Sequence, residues 1–210
     1  MLLVTIILII TFSLNLVIYW VIFLKNKENE EKHIFFKIFP VIWTLSLVPI
    51  PVINSSFLRM FFPNNYSYFG DFWIFFVLFG IVLIFIGIIF IKRANRVYKV
   101  KSIDEDSSKL ITKGIFKLIR HPIYSAWGLI FFGVAIISDS LISLITSALI
   151  FILLEIHSIY EEKLILIPKY GNIYENYKNK TPNRIIPTPL NLLLIIITII
   201  IAYVGFLNFN

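Results

Sequence analysis

The sequence contains no cysteine. That excludes disulfides, thiolate metal sites and a cysteine nucleophile together. Charge is scarce too: 15% of the 210 residues are Asp, Glu, Lys or Arg, where an ordinary globular domain has roughly a quarter. There is no phosphate-binding loop, no dinucleotide-binding glycine fingerprint, no serine-nucleophile elbow and no HExxH metal motif. The glycines Gly80, Gly87, Gly128 and Gly133 are instead scattered through apolar stretches, where small residues let helices approach closely.

Apolar residues are abundant: 59% of the chain is hydrophobic, and the mean hydropathy is +0.88. Such a composition does not describe a water-soluble globule, and the length suits one membrane domain. The net charge of +7 fits cytoplasmic loops against anionic headgroups better than nucleic-acid binding.

A helix crosses a hydrocarbon core with about 20 mostly apolar residues. Met1–Leu24, Ile34–Ile53, Phe72–Ile91 and Leu190–Leu207 each qualify. Pro122–Tyr160 is too long for one span and is broken at Ser138-Asp139-Ser140, so it reads as a helical hairpin. The expectation is an all-α, polytopic transmembrane helix bundle of about six spans including that short hairpin. Met1–Leu24 lacks a basic leader and a small-residue cleavage site, and reads as a retained first span.

With six spans, the loops at 25–33, 92–121 and 161–189 share one side, and those at 54–71 and 138–140 the other. Of the 19 Lys and Arg, only Arg59 falls on the second side, which makes the charged loops cytoplasmic in a multi-pass protein of the cell membrane. The chain divides into a three-span region at 1–91, a core at 92–189 holding the loops and hairpin, and a final span at 190–210.

Chemistry concentrates at the two ends of the hairpin. Arg120-His121-Pro122 sits at a helix entrance, because proline is tolerated in the first turn. The free N–H groups there suit an anion, although anchoring and capping explain the same residues. At the exit stand Glu155, His157, Glu161 and Glu162. An ionisable group inside an apolar stretch, as Glu155 is, faces a partner or water. His157 and Glu161 share a helix face, as do Glu155 and Glu162. His121, His157 and Glu161 could together hold a metal, but no ligand spacing supports this and none is expected. The carboxylates could serve acid–base chemistry or receive a cationic ligand such as a sulfonium or an amine. Further on, Tyr170-Gly171-Asn172-Ile173-Tyr174-Glu175-Asn176-Tyr177 reads as a short interfacial helix or a tyrosine belt.

The order Lys113-Gly114, Arg120-His121-Pro122-Ile123-Tyr124, hairpin, Glu161-Glu162, Gly171-x-x-Tyr174-x-x-Tyr177 and Arg184-x-x-Pro187 resembles the isoprenylcysteine carboxyl methyltransferase family. That family belongs with the phospholipid N-methyltransferases, and the resemblance covers about residues 92–189. It implies S-adenosylmethionine-dependent methyl transfer, with the cofactor entering from the cytoplasm and a lipophilic or lipid acceptor from the bilayer. Carried over by position, it implies cofactor contacts at Leu110, Ile111, Phe116, His121, Pro122, Ile123, Tyr124 and Glu162. Arg120, Glu161, Tyr174 and Arg184 then stand as catalytic candidates. The prenylcysteine enzymes carry an arginine about a turn before the glutamates, where this chain has Ile156-His157-Ser158-Ile159. An aminolipid or a small thiol or amine therefore ranks as acceptor beside a prenylcysteine carboxylate. The rival reading is a proton-coupled transporter using Glu155, His157 and Glu161, which would call for repeat-related halves that the sequence does not display.

Overall fold

The computed structural model describes residues 2–25, 49–55, 72–103, 110–187 and 189–208. The chain forms two compact units, Met1–Tyr66 and Ser67–Asn210. In the first, α1 (Leu2–Lys25) and the short α2 (Pro49–Ile53) are described. Most of the expected second span, 34–53, lies outside the described residues.

The second unit contains α3 (Trp73–Ile103), a 3-10 turn (Gly114–Lys117), α4 (Pro122–Ile137) and α5 (Leu141–Glu161). A π-helical segment (Glu162–Leu166), α6 (Ile167–Tyr170), α7 (Asn172–Lys180) and α8 (Leu190–Asn208) follow. Among the described residues the fold is all-α, with no strand. Two helical stretches, Trp73–Lys99 and Leu141–Tyr170, are long and apolar enough to cross a membrane. On α3 the large side chains Trp73, Phe75, Leu78, Val82 and Phe85 are exposed. A helix so clothed belongs in lipid rather than water.

The hairpin forms where the break in hydropathy places it. Asp139 takes a left-handed turn conformation, with φ of 50°, and Ser140 caps α5 by accepting from the Ser143 amide at 3.5 Å. The charged stretch after Ile91 departs from the expected loop. It continues α3 to Ile103, since it contains neither Gly nor Pro. Its Ala94 is fully buried and packs with Ile115 and Phe116.

Helices α3 and α4 come into backbone contact at two points. A Cβ on Gly133 would stand 2.6 Å from the Gly80 carbonyl oxygen, and one on Gly87 would stand 2.8 Å from that of Ala126. Only residues without a side chain permit this approach. Leu83, Leu129, Phe132, Ile136, Leu144, Leu194 and Ile201 then join α3, α4, α5 and α8 in one core. The α3–α4–α5 assembly holds the entrance of α4 beside the exit of α5.

Candidate functional site

At that junction Pro122 opens α4 and His121 is its N-cap residue. Two backbone hydrogen bonds fix the approach: Arg120 N–H donates to Asn183 O at 3.1 Å and His121 N–H to Arg184 O at 2.9 Å. The segment after α7 is thus laid across the mouth of α4. Side chains reinforce the seam. Tyr177 Oη donates to Phe116 O at 2.6 Å, and the Ser125 hydroxyl donates to Ile185 O.

Glu162 is the hub beneath this seam. Its Oε1 receives Arg120 Nε at 2.8 Å and lies 3.1 Å from His121 Nε2, and Arg184 Nε stands 3.3 Å away as an ion-pair partner. Arg184 also pairs with Glu155. Arg120 spends its remaining donors on backbone, with Nη1 at 2.6 Å from Thr181 O and 2.9 Å from Pro182 O. A buried carboxylate surrounded by donors in this way stays charged and holds three separate segments together.

Glu161 lies one residue earlier and faces elsewhere. Its Oε2 is 3.3 Å from His121 Nδ1, is buried, and makes no hydrogen bond. Both nitrogens of His121 therefore look at carboxylates. Burial alone would lower its proton affinity, but the adjoining Glu161 and Glu162 carboxylates outweigh burial and raise its pKa above the ordinary value. With His121 protonated, three cations (Arg120, His121, Arg184) match three carboxylates (Glu155, Glu161, Glu162).

Arg120, His121 and Glu161 border a cavity of about 240 Å³. Leu110, Ile111, Phe116, Pro122 and Ile123 give it apolar wall, and Arg120, His121, Tyr124 and Glu161 give it polar wall. Tyr98, Leu166, Tyr170, Tyr174 and Tyr177 complete it. Burial and the nearby Glu162 carboxylate push the Tyr174 and Tyr177 phenols well above the usual range. Both are neutral hydrogen-bonding groups at physiological pH, not bases.

Of the residues singled out from the sequence, Leu110, Ile111, Phe116, Arg120, His121, Pro122, Ile123, Tyr124, Glu161 and Tyr174 come together on the cavity wall. Glu162 and Arg184 do not line it; they stand behind, joined to Arg120 and His121. The tyrosines of α7 turn inward, with Tyr174 at 1% exposure, which is not how a headgroup belt is arranged. Sequence reasoning missed Tyr98, Leu166 and Tyr170. The signal for Tyr98 was its spacing of four from Ala94, which puts both on one helix face. No group of His, Asp and Glu able to hold a metal occurs among the described residues.

No curated protein and no solved structure matches the chain. Residues 71–173, from the foot of α3 through the hairpin and both glutamates into α7, match the model of the phospholipid methyltransferase family.

Proposed function

We propose that the protein is an integral membrane methyltransferase that binds S-adenosylmethionine in this cavity and methylates a lipophilic acceptor arriving through the bilayer. The observation that carries the reading is Glu161 Oε2. It is a buried, hydrogen-bond-free carboxylate oxygen beside the cavity within the family-matched segment.

The wall suits the cofactor's chemistry. Leu110, Ile111 and Phe116 offer apolar surface to a purine. Glu161 can accept from an ammonium or a ribose hydroxyl, and the first N–H groups of α4 can hold a carboxylate. The aromatic rings of Tyr98 and Tyr170 on the same wall suit a sulfonium. Glu162 supports this wall through Arg120 and His121 rather than touching the ligand.

S-adenosylmethionine, when bound, would supply an electrophilic methyl group for the acceptor's lone pair and would leave as the neutral thioether. The protein's task is alignment, exclusion of water and removal of the acceptor's proton where it has one. Glu161 is the carboxylate placed to take that proton. The acceptor is a prenylcysteine carboxylate, an aminolipid or a small thiol or amine. About six spans, with the charged segments and the cavity on the cytoplasmic side of the cell membrane, complete the reading.

The test is titration of detergent-purified protein with S-adenosylmethionine and S-adenosylhomocysteine, wild type against Glu161→Gln. Saturable binding that the variant loses supports the site, whereas no binding by folded wild type overturns it. Methyl-label transfer to lipids extracted from membranes then identifies the acceptor.

A further inference from the structure

One buried titratable group beside the cavity has no part in the reading above. His157 is 2% exposed on α5, one turn before Glu161 on the same face. It meets Tyr124 edge-on, with ring centroids 5.1 Å apart at 68°. Tyr124 also stacks on His121, with centroids 5.4 Å apart at 7°. Tyr124 thus contacts both imidazoles, and its side chain interacts with Glu161. Glu161 in turn faces His121 Nδ1.

We propose that His157 is a positioning residue of the cavity: its imidazole fixes the Tyr124 ring against His121 and so holds the Tyr124 hydroxyl and His121 on Glu161. The reason lies in how few ways the arrangement can relax. Tyr124 lines the cavity, and a phenol with one face open would turn toward that space. The His157 ring, in edge-to-face contact with Tyr124, opposes that turn. An edge-to-face contact with a polar ring adds directional preference to packing. The Glu161 carboxylate is then held beside one phenol and one imidazole, with Oε2 left for a ligand or for an acceptor's proton.

The proposal deepens the methyltransferase reading and rests on it for the ligand, but its core is a coupling within the free protein. The other groups that face this set are known. Glu162 and Arg120 meet His121 and each other from the π segment and the α4 approach. Tyr98 of α3 interacts electrostatically with Glu161. Arg184 reaches the set through Glu162. His157 is not on the cavity wall and meets it at Tyr124.

The test uses the chain's own scarcity of histidine. There are three, His33, His121 and His157, so isotope-labelled imidazoles in full-length protein in nanodiscs give few signals. The His121 titration is followed by NMR in wild type, His157→Phe, His157→Gln, Tyr124→Phe and the His157→Phe/Tyr124→Phe double variant. S-adenosylhomocysteine affinity is measured on the same samples. The expected result is a fall of about half a pH unit or more in the His121 midpoint in His157→Phe. His157→Gln should lie closer to wild type, and His157→Phe should have no further effect once Tyr124 is Phe. An unchanged His121 midpoint in His157→Phe, or additive effects in the double variant, would reduce His157 to core packing and overturn the proposal. If His157→Phe fails to fold, the comparison of Tyr124→Phe with His157→Gln decides: coupling requires both to move the His121 midpoint in the same direction. Failure of wild type to bind S-adenosylhomocysteine would sink the methyltransferase reading, while the NMR coupling would still decide this one.

Discussion

Arg120 and Glu162, 42 residues apart in the chain, meet at 2.8 Å with both side chains 4% exposed. Neither can be removed cheaply. Glu162→Ala leaves Arg120, His121 and Arg184 facing one another without their shared anion. Breaking a buried pair from one side typically costs about 3–5 kcal/mol. Thermal unfolding in detergent should show that loss for Glu162→Ala. Arg120→Lys should lose nearly as much, since a point-like ammonium cannot serve one carboxylate and the two carbonyls of Thr181 and Pro182 together. A stable Arg120→Lys protein would show that the fork geometry is dispensable.

Glu161 should behave in the opposite way, although it is the neighbouring residue. Its side chain is 28% exposed and holds a single ion-pair contact, so Glu161→Gln should keep the unfolding temperature within a few degrees of wild type. Binding of S-adenosylmethionine should fall at least ~10-fold, as expected when a charge-assisted contact of about 1.5–3 kcal/mol is lost. A Glu161→Gln variant that unfolds early yet binds normally would reverse the roles assigned to the two glutamates.

The split between the glutamates marks where sequence reading stops. The Ser138-Asp139-Ser140 break and Pro122 at a helix start are local signals, and each gave its element in the right place. That Arg120 and His121 lie near the glutamates also followed, because a hairpin returns both its ends to one interface. Which glutamate faces the cavity did not follow. Helix α5 passes into a π-helical turn at Glu162, and that change of winding sets the directions of Glu161 and Glu162. The pairing of Arg184 with Glu155, 29 residues away, depends on how the segment after α7 crosses α4, which no local pattern encodes. The charged extension of α3 was misread for a simpler reason: charge marks the end of the membrane, not the end of the helix.

His121 predicts a pH dependence with a definite sign. Its folded pKa is raised above the ordinary histidine value, which is about 6.5. The folded protein therefore holds this proton more tightly than the unfolded chain does. The stability this contributes is complete below about pH 6.5 and is lost as pH rises through the folded value. Unfolding temperatures measured in detergent should decline over that window on the alkaline side, and the decline should flatten in His121→Asn. A variant with the same slope as wild type would place the titrating group elsewhere.

The close approach of α3 and α4 sets two effects of substitution against each other. In a helix, Gly→Ala is favourable by about 0.8–1 kcal/mol. At Gly133, however, the new Cβ would stand 2.6 Å from the Gly80 carbonyl oxygen and 2.8 Å from Ile84 Cγ1. The side chain of Ile84 can rotate away, but the carbonyl is backbone and cannot yield unless the helices part. Overpacking of this kind costs about 1–3 kcal/mol, so the clash should win and Gly133→Ala should lower the unfolding temperature. Gly80→Ala should do the same, because its Cβ would stand 2.7 Å from the Gly133 carbonyl oxygen. The two changes strain one crossing, so the double variant should lose less than the sum of the singles. Because the same crossing holds α4 in place, both variants should also weaken S-adenosylhomocysteine binding although neither residue lines the cavity. An unfolding temperature raised by either alanine would mean that the helices separate freely at this point.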